Sequence, residues 1–174
     1  MRFLYLFLLL PILSCQIPVT YDIVLQNTTI YDGSGEVPYL GDIGINADTI
    51  AVIGKPNSLK GENIVALDEL ATAPGFINML SWANVALLED GRSQSDIRQG
   101  VTLEVMGEGS SMGPLTEEMK TAMKEGQVDI NFDIPWTTLG EYLTHLEQKG
   151  VSPNIASFVG NGTLRQHVIG FENR

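Results

Sequence analysis

The sequence predicts an α/β protein in which a small β-rich segment precedes strands that alternate with helices. Three observations carry that expectation. Short β-branched and aromatic runs, separated by clusters of Gly, Pro, Asn and Asp, fill residues 21–70. After Pro74-Gly75 the runs become mostly apolar, as in strands of the buried kind. Between those runs stand stretches with apolar residues at helical spacing. With 174 residues, 44% hydrophobic and 18% charged, the chain is apolar enough to bury a core.

The elements follow in order. Arg2 and the unbroken apolar residues 3–10, extended by Pro11-Ile12-Leu13, have the n- and h-regions of a secretory signal. The stretch is too short for a membrane span, which needs about 20 apolar residues. Ile12-Leu13-Ser14-Cys15 resembles the lipobox of bacterial lipoproteins, in which the cysteine takes the lipid. The alternative is an ordinary signal peptide with an incidental cysteine. Cys15 is the only cysteine in the chain, which favours the lipid reading. Residues 1–14 are therefore read as a lipoprotein signal peptide, Cys15 as the lipid attachment and residues 15–20 as a tether. The non-acidic Gln16 implies, by the same resemblance, a periplasm-facing place on the outer membrane of the bacterial envelope.

Residues 21–72 form the β-segment. Ile23-Val24-Leu25 and Thr28-Thr29-Ile30-Tyr31 are short strand runs, the second ended by the turn cluster Asp32-Gly33-Ser34-Gly35. Residues 42–46 and 49–53 alternate polar and apolar, so Ala47-Asp48 reads as a hairpin turn, without the preferred glycine. Ile64-Val65-Ala66-Leu67 is a further strand. Residues 73–174 form the alternating part. Strands are expected at 75–80, 101–106 and 154–159. Thr116 reads as the N-cap of a helix with Leu115, Met119, Ala122 and Met123 on one face, ended by Gly126. Thr138 and Glu141 make a capping box, Leu139, Tyr142, Leu143 and Leu146 an apolar stripe, and Gly150 a stop.

Charge and composition exclude several functions. Lys plus Arg number 10 against 21 Asp plus Glu, a net charge of −11 with no basic patch, so no nucleic-acid partner is expected. One cysteine excludes an internal disulfide framework and a cysteine-rich zinc site. Two histidines limit imidazole metal chemistry. His145 falls off the apolar stripe of its helix and reads as solvent-exposed, and His167 reads as non-catalytic.

Three stretches together are specific: Ala73-Pro74-Gly75-Phe76-Ile77-Asn78, Ser95-Asp96-Ile97-Arg98-Gln99-Gly100-Val101 with Thr102-Leu103-Glu104-Val105-Met106-Gly107 behind it, and Val159-Gly160-Asn161-Gly162-Thr163-Leu164-Arg165. In this order and spacing they resemble the N-terminal part of the N-acyl-D-amino-acid deacylases (D-aminoacylases) of the amidohydrolase superfamily. Asp32-Gly33-Ser34-Gly35 and Asp42-Ile43-Gly44-Ile45 match that family's opening β-segment. The resemblance covers about residues 21–174. It implies a small β-sandwich segment followed by the first strands and helices of an incomplete (β/α)8 barrel, since a complete one takes about 250 residues. It also implies hydrolysis of the linear amide of a small N-acylated amino acid, with zinc activating the water.

The departures bear on the chemistry. The family strand reads Gly-Phe-Ile-Asp-x-His-x-His, whose two histidines share one face and one metal. Here Asn78 stands in place of the aspartate, and Leu80 and Trp82 in place of the histidines. Half of the usual binuclear site is therefore expected to be absent, leaving at most one metal. The family cysteine that follows Val-Met-Gly aligns with Gly109, beside Glu108. A carboxylate can replace a thiolate on zinc, so Glu108 is the candidate metal contact; its other reading is a solvated loop acid. Asn161 stands where the family carries a histidine, and Arg165 is a candidate partner for a substrate carboxylate or a surface ion pair. Asn78, Leu80, Trp82, Asn161 and Arg165 are thus the pocket candidates.

Two functions remain open: the N-terminal part of a lipid-anchored amidohydrolase, or a lipoprotein that binds a ligand with its metal site dismantled. The isolated chain is expected to be a gene fragment without activity, because three or four strands cannot close a barrel.

Overall fold

The structure is a computed structural model and describes residues 19–172. It divides into two compact units between Pro74 and Gly75. The expected signal peptide at residues 1–14 and Cys15 lie outside the described residues.

The first unit contains β1 (Thr20–Ile30), β2 (Tyr39–Asn46), β3 (Thr49–Gly54), β4 (Lys60–Ala66) and β5 (Ala71–Thr72). They form one mixed sheet in the order β3-β2-β1-β4, with β5 beside the end of β1. The β1-β2-β3 meander is antiparallel, whereas β4 and β5 run parallel to β1. The two runs expected at 23–25 and 28–31 are one strand of 11 residues. A bulge hides that continuity: the register slips between Leu25 and Thr28, and Asn27 has φ 56°. Asparagine tolerates this left-handed backbone better than most residues. Ala47 also adopts a left-handed φ, 50°, in the two-residue hairpin turn. Its N–H donates to Asp22 Oδ2 at 2.7 Å, which ties the turn to β1 without a glycine.

Asp42 is the polar centre of this unit and is fully buried. Its Oδ1 accepts the N–H groups of Asn27 (2.8 Å) and Asn57 (2.9 Å). Its Oδ2 accepts those of Ser58 (2.8 Å) and Leu59 (3.1 Å). One carboxylate thus holds the β1 bulge and the β3–β4 loop. Burial pushes the Asp42 carboxyl up, and the four backbone donors outweigh it and hold it below the usual range. Val24, Ile30 and Ile43 supply the apolar core around it.

The second unit contains β6 (Phe76–Asn78), α1 (Ala86–Glu89), α2 (Gln94–Ile97), β7 (Val101–Met106), α3 (Glu117–Glu125), α4 (Leu139–Lys149), β8 (Asn154–Ser157) and α5 (Asn161–Ile169). The three strands are parallel in the order β6-β7-β8, as alternation with helices predicts, and they do not close into a barrel. Thr138 caps α4 with both bonds of the capping box present. Thr116 caps α3 through the N–H of Met119. Both amphipathic faces enter one core, where Leu87, Met106, Leu115, Met119, Trp136, Tyr142 and Leu146 are buried together.

In the second unit several elements differ from expectation. The strand at 75–80 covers only Phe76–Asn78, because Asn78 Oδ1 accepts the Leu80 N–H at 3.2 Å and turns the chain. The strand at 154–159 stops at Ser157, and Asn161 opens a helix the sequence did not suggest. Asn161-Gly162-Thr163 are poor helix formers, and tertiary bonds hold them: the Gly162 N–H donates to the Gly109 carbonyl at 3.0 Å. The one-turn helices α1 and α2 are too short for a periodic signal.

Candidate functional site

Ligands of open parallel sheets bind beyond the carboxyl ends of the strands. β6, β7 and β8 point the same way, so one edge of the sheet carries the segments that follow them. Leu80 and Trp82 follow β6, Glu108 follows β7, and Asn161 follows β8. Topology therefore gathers four of the residues singled out in the sequence. Leu80 is 53% exposed and Trp82 71%, large apolar side chains displayed at that edge. Glu108 and Asn161 are exposed as well.

Two other candidates have local partners. Asn78 is half-buried; its Nδ2 approaches Asp96 Oδ1 at 3.4 Å while its Oδ1 accepts the Leu80 N–H. Arg165, within α5, donates from Nη2 to the Glu172 carbonyl at 2.8 Å.

The loop after β7 is framed tightly. Gly107 has φ 85°, and a Cβ there would lie 2.1 Å from the Phe158 carbonyl oxygen, so the position takes only glycine. Ser111 Oγ donates to the Gly113 carbonyl at 2.6 Å and accepts the Gly160 N–H at 2.9 Å. The Ser111 N–H donates to Thr163 Oγ1 at 2.8 Å. These bonds lock the loop that carries Glu108 to the start of α5.

Behind the edge lies a polar cluster that sequence reasoning did not single out. Glu104, in β7, is fully buried. Its Oε2 accepts the Ser81 hydroxyl at 2.6 Å and its Oε1 the Ser93 hydroxyl at 2.7 Å. Tyr142 is also fully buried and donates its hydroxyl to the Asn84 carbonyl at 2.8 Å. Burial first, and the Glu104 carboxylate second, push the Tyr142 phenol well above its ordinary value, so it stays a neutral donor. The signal for this cluster was present: an acid in the middle of an apolar strand run is seldom buried without partners.

His145 corrects an expectation. It is half-buried, with its ring 5.2 Å from that of Trp136. The loop before α4 lays Trp136 against the flank that the apolar stripe leaves open. The two rings line a depression of about 520 Å³ on α4, among residues remote in sequence from the strand ends. His167 is exposed in the last turn of α5.

The residues present do not fit a resident metal. Leucine and tryptophan offer no lone pair where the family resemblance places histidines. Among the described residues, no three His, Cys, Asp or Glu side chains come together as a metal-holding group. Zinc takes three or four protein ligands, and of the four residues gathered at this edge only Glu108 carries a carboxylate.

Comparison with known proteins supplies the family. No family model matches the chain. D-aminoacylase of Alcaligenes xylosoxydans xylosoxydans is 31% identical over 150 residues, which are 86% of this chain and 31% of that protein. N-acyl-D-aspartate deacylase of the same organism is 26% identical over 160 residues, 87% of this chain and 30% of that protein. Among solved structures, a D-aminoacylase described as having a binuclear metal center, with one-metal activation and second-metal attenuation, matches with a TM-score of 0.74. The match is 27% identical and covers 86% of this chain and 31% of that one. An N-acyl-D-glutamate deacylase from Bordetella bronchiseptica, complexed with zinc and a phosphonate inhibitor, shares the fold with a TM-score of 0.69 at 24% identity, over 84% of this chain and 31% of that one. The chain thus spans about a third of the length of the relatives it matches. By sequence and by backbone together, it is a homologue of the D-aminoacylases and N-acyl-D-amino-acid deacylases, amidohydrolases whose N-terminal region it matches.

Proposed function

We propose that this chain is the N-terminal part of an amidohydrolase that cleaves the linear amide of a small N-acylated amino acid. The observation that carries the reading is the agreement with D-aminoacylase in backbone and sequence over both units. In this reading the edge beyond β6, β7 and β8 is a wall of the substrate pocket. Leu80 and Trp82 make that wall apolar, which suits an acyl chain better than a polar group. Glu108 and Asn161 supply polar groups at the same edge. No step of water activation is assigned to residues of this chain, because the donors among the described residues do not form a metal site. Cys15, outside the described residues, would anchor the protein in the bacterial envelope.

The apolar pair Leu80 and Trp82 also favours a second reading, a protein of this scaffold that binds an acylated ligand without turnover. One experiment separates the two. The full-length protein of which this chain is proposed to be the N-terminal part is incubated with N-acyl-D-amino acids of increasing acyl length, released amine is measured, and bound metal is quantified on the same sample. Amine release with stoichiometric metal supports the hydrolase. Saturable ligand binding with neither metal nor amine release overturns it in favour of the binder. Under either reading Trp82→Ala flattens the dependence on acyl length, where each methylene buried against an apolar wall is worth about 0.8 kcal/mol. An unchanged acyl preference would remove Trp82 from the pocket.

A further inference from the structure

We propose that Glu104 is a positioning residue for the strand edge and sets the direction of Leu80 and Trp82 through Ser81. Asn78 turns the chain after β6, and beyond that turn a single residue faces inward. Ser81 is 6% exposed, whereas Leu80 and Trp82 on either side are displayed. The Ser81 N–H donates to the Val105 carbonyl at 2.9 Å, so the backbone stays tied to β7 beyond the last paired residue of β6. Its hydroxyl then reaches Glu104 at 2.6 Å and accepts the Ala83 N–H at 3.2 Å. With Ser81 held inward through both its N–H and its hydroxyl, the chain displays Leu80 and Trp82 on either side of it.

The second oxygen of Glu104 acts on a second loop. Ser93 has φ 43°, a left-handed backbone that is uncommon for serine, and its hydroxyl donates to Glu104 at 2.7 Å. The carboxylate therefore spans two segments that are separate in sequence, the turn after β6 and the turn before α2. A hydrophobic side chain at residue 104 could fill the space but would accept neither hydroxyl. An acid buried in a central strand costs stability unless it is bonded, and both of its oxygens are used here to fix loops.

Leu80 and Trp82 matter to function only if the strand edge is the pocket wall, as proposed above. Their ordering is measured without substrate, so either idea can fail alone. The chain has two tryptophans, and Trp136 is buried at 1% exposure, so acrylamide selects the emission of Trp82. The experiment compares Ser81→Ala, Glu104→Leu and Glu104→Gln by amide hydrogen exchange and by time-resolved anisotropy of the quenchable tryptophan. In Ser81→Ala and Glu104→Leu, exchange across residues 80–83 should rise roughly tenfold, as loss of one hydrogen bond of ordinary net strength gives. The nanosecond depolarisation of Trp82 should grow with it, while exchange in α4 stays unchanged. Glu104→Gln should stay within about threefold of the parent, because a serine hydroxyl can donate to the amide oxygen or accept from its nitrogen. A purely structural Glu104 would raise exchange in α4 as much as in residues 80–83, and that result overturns the proposal. So does an unchanged Trp82 in Ser81→Ala, or a Gln variant as mobile as the Leu variant. If Glu104→Leu does not fold, Ser81→Ala and Glu104→Gln decide alone.

Discussion

Replacing Asp42 by asparagine tests how the first unit is held together. The side chain keeps its shape, and one of its oxygens becomes an amide nitrogen. If the remaining oxygen keeps Asn27 and Asn57, the new NH2 faces the N–H groups of Ser58 and Leu59, donor against donor. Hydrogen bonds to a charged acceptor are worth about 1.5–3 kcal/mol each, so losing two costs about 3–6 kcal/mol. That is a large share of the roughly 5–15 kcal/mol that holds a domain folded. The assay is urea unfolding followed by far-UV circular dichroism, with amide exchange at residues 27 and 57–59 as the local probe. Tryptophan fluorescence serves as the control, because Trp82 and Trp136 both lie in the second unit. The pH dependence has a definite sign. The folded-state carboxyl of Asp42 lies below its ordinary value of 3.8, so its stabilisation is present above that value. It is lost as pH falls through the folded-state pKa. Asp42→Asn should remove this acid-sensitive part along with the stability. A variant within about 1 kcal/mol of the parent would refute the reasoning, since a single lost charged hydrogen bond already exceeds that. So would an Asp42 carboxyl that titrates at or above its ordinary value.

Thr138→Ala removes the side-chain half of the α4 capping box and should cost about 1 kcal/mol, read as a lower denaturation midpoint of tryptophan fluorescence. An unchanged midpoint would mean that packing of Tyr142 and Leu146 alone fixes the start of α4. Tyr142→Phe leaves the Asn84 carbonyl without its 2.8 Å donor and should cost about 0.5–1.5 kcal/mol by the same measurement. A stabilised variant would show that the carbonyl finds another donor. Cys15→Ala should abolish metabolic labelling of the protein with palmitate in a bacterial host, and persistent labelling would remove Cys15 as the lipid site.

Helix α4 shows what was legible in the sequence. Thr138 and Glu141 carry the capping box, Leu139 to Leu146 the stripe, and Gly150 the stop, all local chemistry that acts within a few residues. The parallel strand β7 was legible for a similar reason, a mostly apolar run closed by Gly107. α5 was not, because its first residues disfavour helix and are held by Gly109 and Ser111, about fifty residues earlier in the chain. The bulge at Asn27 was hidden likewise, since its N–H is satisfied by Asp42 on the next strand. At the candidate site the sequence alone named Leu80, Trp82, Glu108 and Asn161 and showed that the histidines of the family pattern are missing.

What the sequence determined by itself, then, is the longer strands, helices α3 and α4 with their caps, and the chemical types at the strand ends. Composition, spacing and periodicity are properties of neighbouring residues, so they survive without a fold. Only the tertiary structure decided that the four candidate residues share one edge, that the first unit joins β1 to β4 in parallel, and that Glu104 reaches Ser81 and Ser93. Those pairings join residues 11 to about 50 positions apart, and they depend on which strands lie side by side. The choice is made by burial: Glu104 and Asp42 are silent as letters, and become the anchors of their units once water is excluded and each oxygen must find a donor.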